Sequence, residues 1–105
     1  MKLSVSNIVW GNEKFDDFLK LLKQEGCHGI ELAPSLIWNE PINSSREERQ
    51  KLKKQINNSG LEFVGFHSLL FSRPDLQLFK DDDSRKKTIE YILNLINLCA
   101  ELGGK

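Results

Sequence analysis

The sequence is poor in cysteine, in net charge and in long apolar runs. Only two cysteines, Cys27 and Cys99, occur among 105 residues. They are too few for a disulfide scaffold, and they lack the Cys-x-x-Cys spacing of a redox or zinc site. Such sparing use fits a reducing compartment, and a cytoplasmic protein is expected. Lys and Arg number 15, as do Asp and Glu, so the formal charge is zero. That excludes the broad basic field of a nucleic-acid module, and no nucleic-acid partner is expected. No apolar stretch approaches the roughly 18 residues of a membrane span. Residues Met1–Phe15 contain no signal-peptide core, so no membrane partner is expected either. What is present, 39% hydrophobic and 29% charged residues, suits one small globular unit.

Short strand patterns alternate with longer helical ones. Leu3-Ser4-Val5-Ser6-Asn7 alternates apolar and polar before a turn at Gly11-Asn12, where Asn12 is placed to cap a helix. Phe15, Phe18, Leu19 and Leu22 follow at helical spacing, and Gly26 ends that helix. His28-Gly29-Ile30-Glu31-Leu32 reads as a second strand, followed by a loop, Ala33–Asn43, containing Pro34 and Pro41. Ser44 and Ser45 each precede a glutamate by three residues, the signature of a capping box. The helix that follows, from about Arg46 to Asn58, has only Leu52 and Ile56 as main apolar contacts and should show one thin buried stripe. Gly60 stops it.

A third strand, Leu61–His67, leads into a long loop, Ser68–Asp83. The last helix is expected near Ser84, with Ile89, Ile92, Leu93, Ile96 and Cys99-Ala100 marking its main apolar face, widened by Leu95, Leu98 and Leu102. Gly103-Gly104 closes it. The pattern is β-α-β-α-β-α, an α/β fold of three consecutive parallel βα units with right-handed crossovers.

The loops are unequal. The αβ connections, at Gly26-Cys27 and Ser59-Gly60, take a residue or two, whereas the βα connections are long. Ligands of parallel α/β proteins bind at the carboxyl ends of the strands, where those long loops gather. Three strands leave open sheet edges, and the third helix is apolar around more of its circumference than one sheet face needs. Residues 1–105 are therefore expected to be a single partial domain, truncated before a fourth strand of a larger α/β protein.

Gly26-Cys27-His28-Gly29-Ile30-Glu31-Leu32 is similar to the second strand of the xylose isomerase-like TIM barrels. Gly60–His67 resembles their third strand, which commonly ends in a polar residue, often histidine, at the barrel mouth. Cys99-Ala100-Glu101-Leu102-Gly103 resembles the close of their third helix. The resemblance covers nearly the whole chain. It implies the first part of a (β/α)8 TIM barrel from a sugar or sugar phosphate isomerase or epimerase. It further implies a divalent metal ion (Mn, Mg, Co or Zn) in the parent protein and a sugar or sugar phosphate as partner. In that chemistry the metal polarises substrate oxygens while paired carboxylates move a proton beside a carbonyl. The main ligands and acid–base glutamates of the family come from later strands, so this segment alone is expected to be silent, and no catalytic residue is assigned.

His67 closes the third strand ahead of a long loop and is the first candidate, as a substrate-binding residue and as a metal ligand. Strict alternation would place Leu61, Phe63, Gly65 and His67 on one face and Glu62, Val64 and Phe66 on the other. Glu31 has opposite parity to Ile30 and Leu32, so its carboxylate can face the barrel mouth as a second substrate-binding residue. Trp38, in the second loop, either stacks on the apolar face of a sugar or plugs the loop from beneath. Trp10 carries the same ambiguity, and Asn7 either donates to a ligand or starts the turn.

His28 begins a strand and is assigned no function. The run Asp81-Asp82-Asp83 is explained by helix capping, and the basic residues of Arg46–Lys54 by a solvated helix face. One rival is an endonuclease IV-like phosphodiesterase, which would need basic loops; the third loop has only Arg73 and Lys80. Another is a non-catalytic half-barrel that self-associates through its open edges.

Overall fold

The computed structural model describes residues 2–7, 14–71 and 73–104. The proposed cap Asn12 and the candidate Trp10 lie outside them. Strand β1 (Ser4–Ser6) is followed by helix α1 (Phe15–Gln24) and strand β2 (Gly29–Leu32). The second loop contains two single 3-10 turns, Pro34–Leu36 and Pro41–Asn43, each opened by the proline whose fixed φ suits a first helical position. Helix α2 (Arg46–Ser59), strand β3 (Glu62–Phe66) and helix α3 (Asp82–Glu101) complete the order.

The helix ends follow from local chemistry. Ser45, not Ser44, caps α2, its hydroxyl accepting the Glu48 N–H at 3.1 Å. Ser44 instead donates to the Pro41 carbonyl at 2.6 Å and accepts from the Arg49 guanidinium at 2.8 Å. Helix α3 starts two residues ahead of Ser84 because Asp81 is the cap, accepting the Ser84 N–H at 2.7 Å. That hydrogen bond lowers the Asp81 carboxyl pKa, and Asp82 and Asp83 face the positive end of the helix dipole. Gly60 ends α2 at φ 80°, where a side chain would be strained.

The three strands form one parallel sheet in the order β1-β2-β3, with Val5 opposite Ile30 and Ile30 opposite Phe63. The register then slips. Glu31 lies opposite Gly65 and Leu32 opposite Phe66, leaving Val64 as an extra residue in β3. This bulge corrects the strict alternation expected for the strand. Phe63 and Phe66 share the face that meets the core, their rings 5.5 Å apart edge to face. Gly65 is carried to the opposite face with Glu31, and His67 follows it.

All helices cover one face. The two crossovers between adjacent parallel strands run over the same side, since α1 and α2 share one core cluster. One cluster joins Phe18, Leu19 and Leu22 of α1 to Ile30 and Leu32 of β2, Leu52 and Ile56 of α2, Phe63, and Leu95 and Leu98 of α3.

The buried face of α3 runs through Thr88, Tyr91, Leu95 and Leu98. The expected main face is corrected accordingly: Leu93 and Ile96 are each 56% exposed, whereas Leu95 is 1% exposed. Both stripes have helical spacing, and the sheet selects the one that carries Tyr91. At about 100° per residue, Ile89, Leu93 and Ile96 turn away from the buried stripe and also from Glu101, which pairs with Arg49 of α2 at 2.8 Å. The basic run of α2 is likewise more than a solvated face. The Arg49 guanidinium reaches Ser44, the Ile42 carbonyl and Glu101, and Lys53 donates to the Glu101 carbonyl, so α2 fastens the end of α3.

Leu95→Ala is expected to lower the unfolding free energy by about 2–5 kcal/mol. Leu93→Ala, two residues away on the exposed side, should change it by no more than about 0.5 kcal/mol. Urea unfolding of the two variants checks the assignment of faces.

Candidate functional site at the carboxyl ends of the strands

The face of the sheet opposite the helices divides into two ends. Toward the amino ends, Gly29 lies under Val64 and the Glu62 carbonyl. A Cβ added there would stand 2.8 Å from the Val64 methyl and 3.1 Å from that carbonyl. Ser4 and the exposed Glu62 share this amino end, and the row nearer the carboxyl ends is polar too. Ser6, Glu31 and Gly65 form a row across the three strands, and His67 stands beyond it. The backbone fixes this arrangement, since the His67 N–H donates to the Leu32 carbonyl at 3.0 Å and continues the ladder by one residue.

Glu31 sits between Ile30 and Leu32, both fully buried, yet is itself half-buried. Its carboxylate makes no hydrogen bond or ion pair with a described residue. A half-buried carboxylate left unpaired on an otherwise ordered face has no structural task there. His67 is tied down instead. Its Nε2 meets the Ser6 hydroxyl and its Nδ1 the Ser68 hydroxyl, the latter at 3.0 Å. β1 and β3 are not neighbours and lie about 10 Å apart at ordinary strand spacing, so the imidazole bridges the open face over β2.

The structure brings Glu31 and His67 onto one face and leaves Trp38 elsewhere. Trp38 packs against the core and lines a groove with Phe15, Lys51, Leu52 and Gln55 in the helix layer. It acts as the plug of its loop. The aromatic surface of the long third loop is carried by Phe71 and Phe79, the latter 98% exposed. Asn7 is fully buried and joins the strand ends, its Oδ1 accepting the Ala33 N–H at 2.8 Å. His28 accepts the Leu3 N–H through Nδ1 at the amino end of the sheet, in keeping with a purely structural role. Ser6 and Ser68, the partners of His67, escaped the sequence reading because serine at a strand end or loop start is too common to be a signal. The parity of Ser6 with Ser4 was the only available clue.

Arg73 does not project from the third loop as a phosphate ligand. It pairs with Asp75 at 3.0 Å and with Glu40 at 3.4 Å, and lies 4.8 Å from the centre of the Tyr91 ring. The hydrogen bond with Asp75 holds the guanidinium above its ordinary pKa and the Asp75 carboxyl below its own. Arg73 thereby clamps the third loop to α3 and to the second loop. Burial raises the Tyr91 pKa, while Arg73 opposes that rise.

As for metal, the described residues contain no group of three or more His, Cys, Asp or Glu side chains placed to hold an ion. Glu31 and His67 are two donors at most, and both histidine nitrogens already face hydroxyls. No described helix is long and apolar enough to cross a membrane. No model of a known protein family matches the chain, and no curated protein matches it.

Glu31→Gln is expected to leave the unfolding free energy within about 0.5 kcal/mol or to raise it. A larger loss in urea unfolding would give the carboxylate a structural role. Tyr91 is the one tyrosine in the sequence, so its ionisation can be followed by absorbance. Its raised pKa means that the unfolded chain ionises first, from about pH 10. Stability should hold below that pH and fall as pH rises toward the folded value. Tyr91→Phe removes the fall, and Arg73→Ala moves the folded midpoint higher.

Proposed function

We propose that the chain forms the first three βα units of a xylose isomerase-like (β/α)8 barrel. We further propose that the carboxyl end of its open sheet face binds a sugar or sugar phosphate in an isomerase or epimerase. The observation that carries the reading is the one-sided sheet. Strands follow one another in chain order, the helices lie on one face, and the bare face carries Glu31 and His67 toward its carboxyl end. A doubly wound sheet reverses strand order at its switch point and carries helices on both faces. A barrel wedge does neither, and its bare face becomes the barrel interior. The apolar side of α3 at Ile89, Leu93 and Ile96, turned away from α2, supports the same reading, because a further βα unit would cover it beside the outer edge of β3.

In this reading Glu31 and His67 meet substrate hydroxyls at the mouth. A divalent ion, held mainly by side chains of further strands, would supply Lewis acidity toward a carbonyl or hydroxyl oxygen. The described residues do not complete its ligand set, so the contribution argued here is confined to binding and orienting a polyol. The phosphodiesterase alternative is disfavoured by Arg73, whose charge is spent on Asp75 and Glu40.

The test uses the complete polypeptide that carries these units. It is incubated in deuterated water with aldoses, ketoses and their phosphates and with Mn, Mg, Co or Zn. Exchange of the hydrogen beside the carbonyl is expected, and Glu31→Gln or His67→Gln should raise the KM for the sugar by about 10–100-fold. Hydrolysis of abasic-site DNA without any sugar exchange would favour the phosphodiesterase. A stable dimer built on the β3 edge and inert toward both substrates would favour the self-associating half-barrel.

A further inference from the structure

Helix α2 carries its positive charge unevenly. Arg46, Arg49, Lys53 and Lys54 line a groove of about 400 Å³ between α2 and the end of α3, and Glu101 is the one carboxylate that lines it. The carboxylates of α2 lie elsewhere. Glu47 lines a neighbouring groove with Lys51, Lys54 and Asn58, and Glu48 lines the one that holds Trp38. The chain as a whole is neutral, so this groove is a local departure from its charge balance.

Helix stability does not account for the pattern. Arg46 and Arg49, three residues apart, and Arg49 and Lys53, four apart, are helical neighbours of like charge, which disfavour the helix. Arg46 also opens α2, where a positive charge opposes the helix dipole. Two of the four have a structural task. Arg49 and Lys53 fasten the last turn of α3, which has no basic residue of its own. Arg46 and Lys54 make no hydrogen bond or ion pair with a described residue.

Arg49 is held in place beside them. Its side chain is 19% exposed, and Ser44, Ile42 and Glu101 take three of its five N–H groups. One N–H on each terminal nitrogen is left for a further acceptor. A fixed guanidinium with further cations around it suits phosphate oxygens. The volume lies in the range of about 300–1,000 Å³ usual for small-molecule sites. Four cations against one carboxylate leave a surplus of three, and a single phosphate group, with about two charges at most, does not balance it.

We propose that this groove binds a small molecule through two linked phosphate groups. It lies in the helix layer, and the inference goes beyond the reading of the bare face and stands apart from it.

Calorimetric titration of the complete polypeptide with inorganic pyrophosphate, in metal-free buffer, tests the proposal. One-to-one binding is expected, tighter than that of orthophosphate. Arg46→Ala combined with Lys54→Ala should weaken it by at least about tenfold. Lys51→Ala, which alters only the neighbouring grooves, should leave it unchanged. Arg49 and Lys53 stay intact in these variants, so α3 remains fastened. ADP is the second probe. Binding equal to that of pyrophosphate means that phosphates alone are read, and tighter binding means that a nucleoside is read with them.

A further measurement needs no variant. Pyrophosphate should shift the backbone amide resonances of residues 46–57 and leave those of Glu31 and His67 in place. Shifts confined to the strand ends would overturn the proposal, as would absence of saturable binding. Equal losses in Lys51→Ala and in the double variant would mark a diffuse field and overturn it too. Tighter binding of poly-glutamate than of pyrophosphate would overturn it in favour of an acidic protein partner. Absence of sugar exchange would defeat only the reading of the bare face.

Discussion

Val64 is one residue more than β3 needs to pair with β2, and the two faces of the sheet are sorted by it. Before the bulge, Ile30 and Phe63 pair with their side chains toward the helices. After it, Leu32 pairs with Phe66 on that same side, and Glu31 stands opposite Gly65 on the other. Without the extra residue, simple alternation would turn Phe66 to the bare face and the His67 imidazole into an apolar core. Sheet bulges often re-aim side chains next to sites. Here the bulge buries an aromatic ring that joins Phe63 and frees an imidazole that reaches Ser6.

The rest of the architecture keeps that face uncovered. Both crossovers run over one side, and the single core cluster lies wholly there. Arg49 and Lys53 fasten the end of α3 to α2, while Arg73 ties the third loop to Tyr91, Asp75 and Glu40. These polar ties hold the rim by its outer side and leave the row of Ser6, Glu31 and Gly65 open. Glu31 is the one group on that row without a partner among the described residues. An unpaired carboxylate on the same face as a doubly held imidazole is the feature on which the proposed reading of that face rests.

Much of this was legible in the residues. Glycines at the helix ends, the capping serine ahead of α2 and the alternation of strand and helix all act locally, and each took the form expected. The parity of Glu31 was legible for the same reason, since β2 is regular and flanked by fully buried neighbours. Three features were decided by tertiary pairing instead. Leu61–His67 reads as unbroken alternation, and only the partner strand reveals that Val64 is extra. Helix α3 carries two apolar stripes of equal spacing, and the sheet selects Tyr91, Leu95 and Leu98 over Leu93 and Ile96. Trp38 belongs to the helix layer because the two proline-opened turns fold its loop back over α1 and α2.

The central claim is that His67 stands on the bare face because β3 bulges at Val64. Through-space proton contacts in solution test it most directly. The account predicts contacts between the His67 ring and the Ser6 β-protons, together with contacts between the Phe63 and Phe66 rings. Contacts from the His67 ring to the methyls of Leu52 or Ile56, with Phe66 distant from Phe63, would contradict it.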